Sequence, residues 1–227
     1  MIEKSPENTT VIGALVGFAG VVLGLFVTWI KDSFQRKRLR NEQATYLAVR
    51  VICILDEYAQ KCVDVVSDDG TSCGQPAGRT SSGEEYYEPQ VPCPAAPGFP
   101  NDVDWKSLDS DLMYRILAFP NLVSSANNGI NFVANEVASP PDYEELFEAR
   151  RDGYANLGLK AIELVRLLRK EYGLPQYPSN EWNPDWNPKD YFEQEKKKVE
   201  DKRKRYAADF ESAFSPLIPT DNKSERS

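Results

Sequence analysis

Residues 10–30 read TVIGALVGFAGVVLGLFVTWI, and none of these side chains is charged. As a helix that rises roughly 1.5 Å per residue, the segment is about 30 Å long, the thickness of the hydrocarbon core of a bilayer. The sequence therefore predicts a single transmembrane helix at 10–30 after a short flank at 1–9. A cleaved signal peptide is the alternative. The acidic Glu3 and Glu7 and the absence of a small-residue cleavage site after Ile30 argue against it.

Basic residues crowd the positions that follow this segment, where Asp32 is the single acid. They are Lys31, Arg36, Lys37, Arg38 and Arg40. Because basic flanks stay in the cytoplasm, we expect a single-pass protein of the cell (inner) membrane with its N-terminus outside and its C-terminal domain cytoplasmic. The same five residues are predicted to contact anionic headgroups at the membrane surface. A plain stop-transfer signal without lipid selectivity is the alternative.

Four glycines lie within the uncharged segment at intervals of four, three and four residues. They are Gly13, Gly17, Gly20 and Gly24. At about 100° per residue they share a stripe roughly 60° wide, which lets a second helix approach closely as in GxxxG dimers. The stripe predicts a homo-oligomer associated through the transmembrane helix, although glycine is common in membrane helices and a chance match is the alternative.

Composition narrows the classes of function. The chain has 27 Lys and Arg against 35 Asp and Glu, a net charge of −8, so no nucleic acid partner is expected. It contains no histidine, the commonest general base and metal ligand. The phosphate-binding and nucleophile-elbow motifs are also missing from the sequence. We therefore predict no catalytic residue, no cofactor and no metal site.

The soluble part reads as helices. Residues 31–66 form a basic juxtamembrane segment and a first bundle helix that continues the membrane helix, with apolar residues at intervals of three and four. Residues 107–172 predict two long helices with a kink near Pro120 and a turn at 139–142, capped by Ser139 or by Asp142. The first of the two carries a coiled-coil-like heptad seam. Its members are Leu112, Ile116, Phe119, Val123, Ala126, Ile130, Val133 and Val137.

The third helix has its own apolar stripe, which ends before Gly173 and Pro175. Its members are Leu146, Phe147, Tyr154, Leu157, Ala161, Leu164, Val165 and Leu168. A linker rich in proline and tryptophan follows at 173–188, where Asn187 is placed to cap a helix beginning at Pro188. The charged helix at 189–214 either lies across the bundle or projects from it, and its bases either pair within the helix or contact anionic partners. A disordered tail is predicted at 215–227.

Residues 67–106 show no periodicity and predict a flexible acidic loop rich in proline, glycine and serine. Its acid-flanked Tyr86 and Tyr87 and its Pro-x-x-Pro repeats are weak docking signals, with a spacer as the alternative. Cys73 and Cys93 lie in this loop and would pair only if the topology were inverted. Cys53 and Cys62 are predicted to be core residues.

No strand pattern is present, so the predicted fold is all-α: a transmembrane helix that continues into an antiparallel bundle of about three long helices, with a charged C-terminal helix. The predicted function is a membrane-anchored protein-interaction or scaffold module at the inner membrane face. Its expected partners are the lipid bilayer, further copies of the chain and an unknown protein. The alternatives are a membrane-surface enzyme acting on lipid or nucleotide, and a membrane-perturbing or sensor protein whose active part is the transmembrane helix.

Overall fold

The computed structural model describes the backbone of residues 7–175 and 185–214, and the side chains of residues 23–175 and 185–212. Within these ranges the predicted all-α class is confirmed. The helices are α1 (Glu7–Ser67), α2 (Ser110–Glu136), α3 (Glu144–Glu171) and α4 (Pro188–Phe214). The predictions for residues 1–6, for 176–184 of the linker and for the tail at 215–227 lie outside the described residues.

Helix α1 is one unbroken helix of 61 residues, about 90 Å long at the standard rise. It joins the uncharged segment directly to the bundle, with no capping signal or proline between them. Among the described residues, no helix is long and apolar enough to cross a membrane. The predicted transmembrane helix at 10–30 is therefore not supported by them; the side chains of residues 10–22 lie outside the described residues.

Helix α3 runs antiparallel to α1. Two ion pairs fix the relative direction: Asp56 of α1 faces Arg169 at 3.5 Å, and Asp68, just after α1, faces Arg150 at 3.0 Å. Along this contact the residue numbers rise on the α1 side while they fall on α3, as antiparallel packing requires. An unbroken α1 thus presents its last third to the full length of α3.

Helix α2 also packs antiparallel on α3. Arg115 lies 2.8 Å from Glu163 near one end, and Asn127 accepts a hydrogen bond of 2.6 Å from the Tyr154 hydroxyl nearer the other end. Pro120 lies inside α2, and the helix continues through it as predicted. A helical bundle is confirmed, with α3 between α1 and α2.

The predicted apolar stripes meet in one core. Tyr58 of α1 and Phe119 of α2 form an edge-to-face ring pair with centroids 5.4 Å apart, which joins those helices. Five members of the heptad seam, from Leu112 to Ile130, are buried; Ala126 and Val133 are half-buried, and Val137, which follows α2, is exposed. The seam therefore packs inside a mixed core and not along a long coiled coil.

The segment between α1 and α2 packs against the bundle, although its apolar residues show no periodic spacing. It contains a short antiparallel hairpin of β1 (Gly78–Arg79) and β2 (Glu85–Tyr86), so the prediction of no strands is wrong here. Gly83 adopts φ +87° in the turn, a conformation that glycine reaches without strain. Residues 88–104, here called the strap, then run back along α1 toward α2.

Both predicted caps for α3 are wrong. The residue at the N-cap position is Tyr143, which has φ 50° and makes no side-chain capping bond. The Glu145 carboxylate instead accepts a hydrogen bond of 3.4 Å from the Ser139 amide. Two proline residues precede this turn, and they constrain the backbone more than a capping side chain does.

The signals at the end of α3 and the start of α4 are confirmed. Gly173 has φ +61°, and the Leu174 amide donates to the Arg169 carbonyl at 2.9 Å, closing the last turn. The Asn187 side chain accepts a hydrogen bond of 3.0 Å from the Lys189 amide, which caps the helix that begins at Pro188.

The ring pair at the centre of the core sets a stability prediction. Phe119→Ala removes a fully buried ring and leaves a cavity, so we expect the free energy of unfolding to fall by about 3–5 kcal/mol in urea denaturation. Leu117→Ala, on the exposed side of the same helix, is the control and is expected to change it far less. Equal losses for the two variants would show that Phe119 is not part of the cooperative core.

Candidate functional site

A buried carboxylate organises the strap. Asp68 directly follows α1, and its side chain is 1% exposed. Its Oδ2 atom accepts hydrogen bonds of 3.0 Å from the amides of Gln90 and Val91, and its Oδ1 atom accepts one of 3.0 Å from the Gly70 amide. The strap is thereby fixed to the end of α1.

Arg150 of α3 completes this cluster. Its Nη2 atom donates to Asp68 at 3.0 Å and to the Val91 carbonyl at 2.5 Å, and its Nη1 atom donates to the Cys93 sulfur at 3.3 Å. Sequence reasoning missed Arg150 because an arginine in a helix usually lies at the surface. The available signal was its position three residues after Phe147 and four before Tyr154, on the apolar stripe.

Two tyrosines border the cluster. Tyr154 donates to Asn127, and the Tyr58 hydroxyl is buried without a hydrogen-bond partner among the described residues. Burial raises the pKa of both phenols above their ordinary value, so both remain protonated at neutral pH. They act as neutral, packed side chains there.

A cleft of about 520 Å³ lies between α1 and the strap. Its walls are the apolar and proline residues of 91–98 on one side and one face of α1 on the other. On the α1 side, Lys61 pairs with Glu57 at 2.7 Å and holds the pKa of that exposed carboxyl below its ordinary value. The two charges offset each other, and Asp64 adds a further carboxylate on the same wall, so the α1 side of the cleft is largely polar while the strap side is apolar. In the described ranges, no three His, Cys, Asp or Glu side chains gather as a metal site would require.

A second feature is the charged contact between α3 and α4, which the sequence did not predict. Lys202 of α4 contacts both Glu144 and Glu148 of α3, and Arg203 faces Asp152 at 3.1 Å. The three acids stand four residues apart on one side of α3. Helix α4 thus lies along α3 and pairs with it as far as Tyr206, whose hydroxyl donates to Glu144 at 3.4 Å.

An aromatic socket seats the start of α4. The Phe192 ring is fully buried against Gly158 of α3, where even a methyl group would overlap the ring. Val199, two turns later, is the other buried apolar side chain among the described residues of α4. Burial of these two side chains contributes about 1.5–3 kcal/mol each, and exposed ion pairs contribute about 0–1 kcal/mol each. Among the described residues, α4 therefore contributes fewer buried apolar side chains than α3 does.

The predicted association residues are placed only in part. Gly24 has no other atom within 4 Å of the position a Cβ would take, so its face of the helix is open. Gly13, Gly17 and Gly20 lie in the helical backbone of α1, but their side-chain positions lie outside the described residues.

The predicted membrane-surface residues are all exposed, but two of them have partners within the chain. Arg38 pairs with Glu42 at 3.0 Å, and Arg40 donates to the carbonyl oxygens of Lys106 and Ser107 at 3.0 and 3.4 Å. Lys31, Arg36 and Lys37 are exposed on the part of α1 between the uncharged segment and the bundle.

All four cysteines are free thiols. Cys62 is fully buried, as predicted, and burial raises the pKa of its thiol. Cys53 is exposed, so its assignment to the core is wrong: it lies on the side of α1 that faces away from the bundle. Cys73 is exposed and Cys93 is half-buried beside Arg150.

The buried ion pair gives a second prediction. Asp68→Asn leaves the Arg150 charge without its counter-ion, so we expect a loss of about 3–5 kcal/mol in the free energy of unfolding. The loosened strap should also make Cys93 react faster with a thiol reagent, in a chain carrying Cys53→Ser and Cys73→Ser. Asp69→Asn, an exposed neighbour, is the control. Unchanged Cys93 reactivity in Asp68→Asn would show that this carboxylate does not hold the strap.

Comparison of the chain with models of protein families, with curated proteins and with solved structures finds no match. Function is therefore argued from the residues of this chain alone. The features that carry the argument are the apolar start of α1, the strap with its cleft, and the charged face of α3.

Proposed function

We propose that this protein is a single-pass membrane-anchored interaction module whose helical bundle binds a partner protein at the inner membrane face. The observation that carries the proposal is an apolar collar on α1. It comprises Leu23, Leu25, Phe26, Val27, Trp29 and Ile30, each 37–67% exposed. Insertion into lipid would remove this apolar surface from water. The same environment suits the uncharged segment at 10–30, to which these residues belong.

The distribution of the collar favours lipid over a protein groove. At about 100° per residue, its members span an arc of roughly 200°, more than one face of the helix. A protein partner normally covers one face, whereas the acyl chains of a bilayer surround a helix. The side free of large apolar residues carries Gly24, where a second copy of the helix would pack.

The bundle supports the interaction role. Helix α2 exposes four large apolar side chains on its outer side: Tyr114, Leu117, Leu122 and Phe132. Exposed apolar residues grouped on one element favour a protein-binding surface. The basic segment from Lys31 to Arg40 then acts as a short stalk, about 15 Å long, between the headgroups and the bundle.

Thiol labelling tests the anchoring and its direction. In a chain carrying Cys53→Ser, the exposed Cys73 should react with a membrane-impermeant maleimide only after cells are permeabilised, because the bundle is cytoplasmic. A cysteine introduced by Ser5→Cys should react in intact cells. Labelling of Cys73 in intact cells, or recovery of the chain in the soluble fraction, would contradict the proposal.

Cross-linking tests the homo-oligomer. Gly17→Ile and Gly20→Ile place bulky side chains on the close-approach face, so we expect the yield of cross-linked dimers in membranes to fall severalfold. Ala19→Ile is the control, since it lies about 200° around the helix from Gly17 and adds a similar volume. Equal cross-linking of all three variants would end the role of the glycine stripe.

A further inference from the structure

We infer that the face of α3 beneath α4 is a docking groove for a basic amphipathic helix of a partner protein, with α4 as its occupant within the chain. This inference rests on the proposed interaction role and names the kind of partner that the bundle takes. Helix α4 is seated there in the free protein, and the partner helix replaces it.

The acidic side of the groove selects the charge of its occupant. Glu144, Glu148 and Asp152 lie one turn apart, and each of them pairs with a base of α4. An occupant without bases would leave three carboxylates of like charge next to one another, at an energetic cost. The groove therefore takes a helix that places bases at the positions of Lys202 and Arg203.

The apolar positions set the register. Phe192 fills the socket at Gly158, and Val199 follows two turns later on the same side of α4. The pair of bases then follows Val199 by three and four residues. The recognition pattern is an aromatic residue, an aliphatic residue seven positions on, and two bases one turn after that, which is the anchor spacing of helix-in-groove binding.

The way α4 is held makes replacement feasible. Its two buried apolar side chains contrast with the many that α3 contributes to the core, and its residues 203–212 are all exposed. Arg151 of α3 adds one further ion pair, with Glu195 at 3.6 Å. The exposed ion pairs of α4 weaken as salt screens them, whereas the buried pair that joins Asp68 to Arg150 is screened much less.

Peptide binding to the full-length chain in detergent tests the groove. The probe is a fluorescent peptide with the sequence of residues 187–212. The wild-type groove is occupied, so Phe192→Asp, which unseats the chain's own α4, should bind the peptide at least tenfold more tightly than wild type does. Binding should weaken as the ionic strength rises from about 0.05 to about 0.5 M.

Matched peptides test the charge pattern. A peptide with Lys202→Glu and Arg203→Glu should bind the Phe192→Asp chain at least tenfold more weakly than the native peptide. A peptide with Lys197→Glu, a change on the exposed side of α4, should bind as the native peptide does. Equal binding of all three peptides would overturn the groove, because the acidic face would then have no role in recognition.

A folding control keeps the test decisive. Helical content and the urea transition of the core are measured for each chain, and Val199→Asp serves as a second variant that unseats α4. Absence of peptide binding to a folded Phe192→Asp or Val199→Asp chain overturns the inference. The purified chain gives this result whatever the labelling of Cys73 shows, so a wrong membrane topology and a wrong docking site are told apart.

Discussion

The arrangement of the bundle depends on the buried pair of Asp68 and Arg150. Burying two charges costs several kcal/mol per ion, and their mutual attraction offsets this only when hydrogen bonds satisfy the remaining polar atoms. Asp68 meets that condition through three backbone amides, two of them from the strap. One ion pair thus ties the end of α1, the strap and the middle of α3 to one another, and a long aperiodic segment takes a defined path over the helices.

Helix α1 runs without a break from the proposed membrane contact into the bundle, so one continuous helix joins the two. Between residues 30 and 44 the helix contains no proline, the usual cause of a sharp kink, and its helical backbone is continuous there. The bundle packs on one side of α1, through Ala44, Leu47 and Val51, while Tyr46, Val49 and Cys53 face away from it. In a dimer joined through the apolar segments, the face of α1 that meets the other copy would therefore decide whether the two bundles lie side by side or apart.

Sequence periodicity predicted the helices well because the apolar spacing that buries one side of a helix is local and regular. The end of α3 at Gly173 and the Asn187 cap were equally accessible, since each depends on a single residue type in a fixed position. The pairing of Arg150 with Asp68 could not be predicted from the sequence, because the two residues are more than 80 positions apart and only the fold brings them together. Cys53 was misassigned because small thiols are usually buried, and the phase of α1 relative to its neighbours decides the matter. The Glu144–Lys202 contact could not be predicted either, because each partner looks like an ordinary surface charge in its own helix.

The contrast between α3 and α4 follows from how each helix is stabilised. Helix α3 contacts α1, α2 and α4, so its burial is shared among partners and it cannot leave without dissolving the core. Helix α4 contacts chiefly α3, with one hydrogen-bond contact of 2.8 Å between Tyr191 and Ser67 of α1. Among the described residues, α4 is held by two buried apolar side chains, Phe192 and Val199, together with ion pairs to α3. Specificity at such a contact comes from the pattern of charges more than from the buried area, so we expect a second helix with the same pattern to be recognised by the same face.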